Sequence, residues 1–282
     1  MNRLPTRAAD GSGRALARLA RLGRLRRAVA EQQLAAAYPE QDAAWIRATA
    51  RACYLHFGRE VAEIARLFES GPEAVSGSLS LETGAGDHVE RMRAGVGTIV
   101  VTGHLGNWEI AGAFLSSLGV PVAAVVKRQS NSRFDTWLQG ARRMTGVEPI
   151  YMEEAARRVP RILGAGTSVA MVADQAAGAG GEIVTFFGRP ASTFRGPARL
   201  ALATGAPLVY GSLVRDEMVY RMEIEACEAP DSAASEPAAA RERRLTEDWV
   251  RRLETRVREV PEQYLWFHRR WKSAGTNEET HK

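Results

Sequence analysis

The distribution of apolar and polar positions divides this chain into an N-terminal helical part and a longer part in which strands and helices alternate. From Arg14 to Leu34 leucine recurs every third residue at Leu16, Leu19, Leu22 and Leu25. Arginines fill much of the remainder, and no acid appears between Arg14 and Glu31. This predicts a basic amphipathic helix. Tyr38-Pro39-Glu40 interrupts it, and a second helical phase runs from about Asp42 to Glu69 through Trp45, Ile46, Tyr54, Phe57, Ile64 and Phe68. His56 and Glu63 fall inside that helix and read as structural. Residues 73–95 predict short, irregular structure, with His88 on the surface.

Beyond residue 95 the period changes. Apolar runs at Ile99–Thr102, Val120–Val126, Thr167–Ala173, Pro207–Val214 and Val219–Ala226 predict strands, and Ile183–Gly188 adds a sixth extended run. Between them lie predicted helices from Asn107 to Leu115, over 132–145, at Glu153–Leu163 with a break near Pro160, and at Gly196–Thr204. A last helix, Ala240–Val260, follows a Pro/Ala/Ser-rich loop over 229–239 and leads to the aromatic-basic segment Tyr264–Lys272. Alternating strands and helices predict an α/β fold: a single domain with a mainly parallel sheet flanked by helices, preceded by an N-terminal amphipathic helical region. The last two strands suit an antiparallel hairpin. The predicted divisions are a disordered terminus over 1–13, a helical membrane-proximal region over 14–72, the α/β domain over 73–272 and a disordered tail over 273–282.

Composition narrows the partners. The 282 residues carry a net charge of +5 and a sequence pI near 9.5, which fits anionic lipid, nucleic acid or an acidic protein. Cys53 and Cys227 have no metal-type spacing, and a disulfide framework is not expected. No stretch is apolar enough to predict a membrane span, and no secretion signal is read at the N-terminus. The Arg/Leu helix has two readings: it lies on an anionic membrane, or it packs its leucines on the domain while its arginines face water.

Candidate chemistry centres on Gly97–Glu109, a strand, a glycine turn and a helix start. His104 sits in the turn and Glu109 five residues on. A carboxylate on one ring nitrogen fixes the histidine tautomer and leaves the other nitrogen free to take a proton. The expected pair is His104 with Glu109, provided that the turn folds back so that His104 precedes the helix. The plain alternative makes His104 a turn residue and Glu109 a solvated acid. The five histidines are dispersed, so neither a metal nor another cofactor is expected. Lys127, Arg128 and Asn131 follow the second strand, and Asp174 and Gln175 follow the third, at the edge where parallel sheets place their sites. Arg195, in Thr193-Phe-Arg-Gly196, is placed on the cationic rim of an apolar groove that Phe186 and Phe187 line; for the phenylalanines, ordinary core is the alternative.

In order, Tyr38-Pro-Glu, Gly103-His-Leu-Gly-Asn-Trp-Glu109, Lys127 with Asn131 and Asp135, Asp174-Gln175, Phe186-Phe-Gly188, Ala191–Ala206 and Pro261–Lys272 resemble the lipid A biosynthesis (lauroyl/myristoyl) acyltransferase family, within the lysophospholipid acyltransferase superfamily. The resemblance covers about residues 15–272. It implies that His104 and Glu109 form a catalytic His-x4-acid pair, with acyl transfer from an acyl carrier protein or coenzyme A thioester to a hydroxyl of a membrane lipid acceptor. It implies peripheral attachment to the anionic cytoplasmic face of a bacterial inner membrane, with no nucleic acid as partner. Lys127 stands where the family usually has arginine, which keeps the charge and loses the bidentate fork; Arg128 is the neighbour able to supply it. Two other readings stay open, a non-catalytic lipid- or phosphate-binding module and a hydrolase.

Overall fold

A computed structural model describes residues 6–71, 79–217, 219–227 and 236–271 of the chain. Its centre is a seven-stranded sheet. The strands are β1 (Leu79–Leu81), β2 (Ile99–Thr102), β3 (Val122–Val126), β4 (Val147–Tyr151), β5 (Ser168–Val172), β8 (Leu208–Asp216) and β9 (Val219–Ala226), in spatial order β1-β9-β8-β2-β5-β3-β4. Every neighbouring pair is parallel except β8 and β9, which form the expected antiparallel pair. β6 (Glu182–Phe186) and β7 (Arg189–Thr193) make a separate antiparallel hairpin.

Helices cover both faces, which is why the central strands are apolar on both sides. In β2, Ile99 and Val101 join one buried cluster, with α2 (Arg27–Ala37), α7 (Met152–Gly164), α8 (Gly196–Thr204) and α9 (Ala238–Glu259). Val100 joins the other, with the end of α3 (Ala43–Ser70), α4 (Ala85–Arg93), α5 (Trp108–Ser117) and α6 (Ser132–Met144). Helix starts are set locally: Asp42, Asn107 and Asn131 each accept a hydrogen bond from the backbone three residues on, at 2.7, 3.0 and 3.0 Å.

Several expectations are corrected. Val147–Tyr151 is a strand the pattern did not reveal, because Pro149 and Glu148 disguise it; β4 is an edge strand, where proline is tolerated. Arg189–Thr193 returns as β7 after a turn at Phe187-Gly188. Helix α7 runs through Pro160 without breaking. Residues 79–93 hold an ordered strand and helix, and His88 is half-buried on α4. The helix α1 spans Thr6–Leu22, so residues 6–13, assigned to a disordered terminus, are helical. The expected tail at 273–282 lies outside the described residues.

The single helix predicted over Arg14–Leu34 is two, α1 and α2, separated by a turn in which Arg24 and Arg26 have φ of 51° and 52°. Helix α1 packs on α3 through its small residues. A Cβ added to Gly58 would lie 2.5 Å from the Gly13 carbonyl oxygen and 2.8 Å from the Ala17 methyl carbon, so the two backbones nearly touch. With the small face inward, the leucines face out: Leu16, Leu19, Leu22 and Leu25 are 45, 67, 74 and 62% exposed. The reading in which these leucines pack on the domain is overturned.

Candidate active site

β2 and β5 are neighbours, with Thr102 opposite Val172. Each chain therefore reaches its polar residue two positions past the paired end, at His104 and at Asp174. The Asp174 carboxylate holds His104 twice: Oδ2 accepts from the His104 backbone N–H at 2.9 Å and Oδ1 meets ring Nδ1 at 2.6 Å. Burial, and after it the charge of the same carboxylate, raise the Tyr264 pKa well above its ordinary value. Burial alone would raise the Asp174 pKa; the charge and hydrogen bonds of His104 outweigh it and hold the group down at about 2. The other ring nitrogen, Nε2, lies 3.4 Å from the Gln175 side-chain nitrogen. The Trp108 ring stands edge-on to the imidazole at 4.6 Å between centroids.

The histidine does precede the helix, as the expected pair required. Its partner, however, is Asp174. Arg142 on α6 donates to both oxygens of Glu109, from Nε at 3.0 Å and from Nη2 more closely. Glu109 lies on the first turn of α5 and faces that cation, so the expectation that it orients the ring is corrected. Spacing pointed at the acid nearest in sequence; the sheet brings up the one from the adjacent strand.

The turn around His104 is fastened on all sides. Leu265 N–H donates to the His104 carbonyl at 3.0 Å, Gly106 N–H to Gln263 at 3.0 Å, and Asn107 N–H to Leu213 at 3.0 Å. Gly106 has φ +60°, and a Cβ there would sit 1.9 Å from the Leu213 carbonyl oxygen, so only glycine fits. Beneath the turn lies a buried polar network that the sequence reading missed. Glu60 of α3 accepts from Asn107 Nδ2, Arg215 Nε and the Tyr220 hydroxyl, each at 2.7 Å. His56 Nε2 faces the Gly106 carbonyl at 3.4 Å. Burial lowers the His56 pKa against the opposing charge of Glu60. Burial raises that of Glu60, but His56, Arg215 and Tyr220 together pull it below the ordinary value. The available signal was a polar stripe at His56, Glu60 and Glu63, spaced i, i+4, i+7 on a helix whose other inward positions are apolar.

The remaining candidates have other partners. Lys127 is exposed at the end of β3. Arg128 stacks on the Tyr151 ring at 3.6 Å and reaches Asp135 at 4.0 Å. Asn131 caps α6. Asp135 is buried and binds the Tyr151 hydroxyl at 2.6 Å and the Gln129 N–H at 2.9 Å. Among the described residues no hydrogen bond or ion pair joins Lys127, Arg128 or Asn131 to His104 or Asp174. Arg195 sits before α8, where it pairs with Glu242 and approaches Glu182 at 3.7 Å. Phe186 and Phe187 are buried core. Arg270 went unrecognised: it is buried, donates to the Ser192 carbonyl at 2.6 Å and the Thr193 hydroxyl at 2.5 Å, and adds positive charge near Asp174.

Among the described residues no group of three or more His, Cys, Asp or Glu could hold a metal ion, and no helix is long and apolar enough to cross a membrane. An α/β sheet that delivers a histidine and a buried carboxylate to one edge, with the second ring nitrogen turned outward, has the parts of a general-base transferase. The chain belongs to the bacterial lipid A biosynthesis acyltransferase family, whose profile matches residues 1–273. It is also 27% identical over 158 residues, 54% of this chain, to a phosphatidylinositol mannoside acyltransferase of Mycobacterium tuberculosis strain ATCC 25618 / H37Rv, and equally to the protein of that name in strain CDC 1551 / Oshkosh. The match covers 50% of each, so the chain spans about half the length of the curated relatives it matches.

Proposed function

We propose that the protein transfers a fatty acyl chain from an acyl thioester, on acyl carrier protein or coenzyme A, to a hydroxyl of a membrane lipid. A lipid A precursor is the acceptor suggested by the family; a mannosylated phosphoinositide is the one suggested by the relative's name. The observation that carries the reading is the double hold of Asp174 on His104, which fixes the tautomer with Nδ1–H toward the carboxylate and the Nε2 lone pair toward the site. His104 Nε2 takes the acceptor hydroxyl proton as the oxygen attacks the thioester carbonyl. The tetrahedral intermediate collapses, the C–S bond breaks, and the imidazolium returns the proton to the departing thiolate. The buried Asp174 stabilises that imidazolium. Glu109 acts at one remove, through a pair with Arg142 that sets the first turn of α5 against α6. Gln175, beside Nε2, must give way to the acceptor. Lys127 and Arg128, past the end of β3, are offered as a cationic rim for anionic substrate groups.

The outward leucines of α1 favour peripheral attachment to an anionic bilayer, at the cytoplasmic face of the inner membrane. The test is acyl transfer from labelled acyl thioester to extracted lipid, with the product identified by mass spectrometry. His104→Ala is expected to abolish transfer while the protein stays folded; a fully active variant would overturn the mechanism. Rapid thiol release without any acceptor would favour a hydrolase instead.

A further inference from the structure

Five arginines converge where the turn after α1 meets the start of α3. Arg21, Arg24 and Arg27 come from the α1–α2 segment, and Arg47 and Arg51 from one face of α3. They line a cavity of about 390 Å³ floored by Ala50. Among the described residues Glu31 is the one acid lining it, and Arg27 already holds that carboxylate at 2.7 Å. Among the described residues Arg21, Arg24, Arg47 and Arg51 have no carboxylate within ion-pair distance. The arrangement is held in place: Tyr54 donates to the Leu25 carbonyl at 2.6 Å, and Arg26 to the Phe267 carbonyl at 3.0 Å. Arg24 and Arg26 occupy the left-handed backbone region, which non-glycine residues adopt only under constraint.

Like charges gathered this densely repel, and Glu31 offsets only that of Arg27. An anion would offset the others. Guanidinium forks match the oxygens of a phosphate, and several forks in one concavity suit it better than a flat patch would. Leu22 lines the same cavity, with Leu25 in the same turn and Leu19 one turn earlier on α1, all three largely exposed. An anion that arrives attached to acyl chains satisfies both halves of the surface. A soluble phosphate or an acidic protein leaves the leucines in water.

We propose that this cavity is a headgroup site for an anionic phospholipid, with the phosphate among Arg21, Arg24, Arg47 and Arg51 and the acyl region against the leucines of α1. The site is separate from His104, and it rests on the membrane setting of the proposed function without depending on catalysis. It turns general attraction to a charged bilayer into binding of one lipid at one place, which fixes how the enzyme stands on the membrane.

The test is co-sedimentation of the full chain with phosphatidylcholine vesicles, plain or doped with phosphatidic acid, without acyl donor. Wild type should favour the doped vesicles. Arg47→Ala combined with Arg51→Ala should weaken that binding about thirtyfold, the loss expected for two interfacial cations. Both side chains are exposed and unpaired, so the melting temperature should hold or rise. Arg157→Ala with Arg161→Ala, which removes equal charge from α7, should bind like wild type. Equal binding by the two double variants would overturn the site. So would normal vesicle binding by R47A/R51A with loss of binding to acyl carrier protein, or protection of wild type alone by inorganic phosphate with no difference on vesicles. His104→Ala should bind vesicles normally, so failure of the catalytic reading and failure of this site are distinguishable.

Discussion

The turn at His104 and the helix α1 use charge in opposite ways. Around the turn, every charged group named has a partner: Asp174 with His104, Glu60 with Arg215, Glu109 with Arg142. Glu60 and Asp174 are buried, where an unpaired charge would be destabilising. At the cavity beside the α1–α2 turn, Arg21, Arg24, Arg47 and Arg51 have no acid within ion-pair distance among the described residues, and the leucines of α1 lack cover. A finished polar network holds one geometry by itself. A surface with unpaired cations and exposed apolar side chains is complete only against something else. The internally paired part of this protein is the part proposed to react, and the unsatisfied part is the part proposed to dock.

Substitutions can break that contrast. The largest effects belong at the turn: Asp174→Asn should cut kcat about 10²–10⁴-fold, as for a lost histidine-orienting carboxylate, with Glu109→Gln well below that. Equal losses in a labelled-acyl transfer assay would show that the two acids share the orienting role. Next comes stability. Glu60→Ala takes the near carboxylate from Arg215, leaving Glu63 at 3.9 Å, strips Asn107 and Tyr220 of their buried acceptor, and should cost about 3–5 kcal/mol by urea denaturation. Glu31→Ala, at a part-exposed pair, should cost less than about 1 kcal/mol. Similar values for the two would erase the distinction between the regions.

Acid unfolding sharpens it further. The folded Asp174 pKa, about 2, lies below its ordinary value of 3.8, so its contribution is full above about pH 4 and disappears as pH falls through about 2. Asp174→Asn should flatten that acid limb by about 2 kcal/mol, read from stability curves at several pH values. The smallest effect on folding is expected for Leu19→Ser with Leu22→Ser, within about 0.5 kcal/mol, because neither side chain is buried. The same variant should lose most vesicle binding. A large stability loss there would mean that the leucines serve the fold.

Much of the fold was legible because the central strands are pure apolar runs and the parallel sheet needs helices between them. β4 was hidden by Pro149, and the break in the first helix, although Gly23 marks it, by the leucine spacing that continues across it to Leu25. The histidine and its place before α5 were readable from Gly103-His-Leu-Gly-Asn. Its partner was not, because strand order decides which acid stands beside it, and neighbours such as β2 and β5 lie seventy residues apart at His104 and Asp174. The leucine face was ambiguous for another reason. Gly13, Ala17 and Gly58 are small enough to look like filler, yet they form the contact that turns the leucines outward.

The backbone bond from Leu265 to the His104 carbonyl carries a consequence for synthesis. A chain emerges from the ribosome N-terminus first. Helix α1, with its arginines and leucines, is therefore made early, while His104 waits for Gln263 and Leu265 before its turn is fastened. The segment proposed to meet a bilayer is made long before the segment that completes the proposed catalytic turn, so the order of synthesis would place the proposed attachment ahead of the proposed activity.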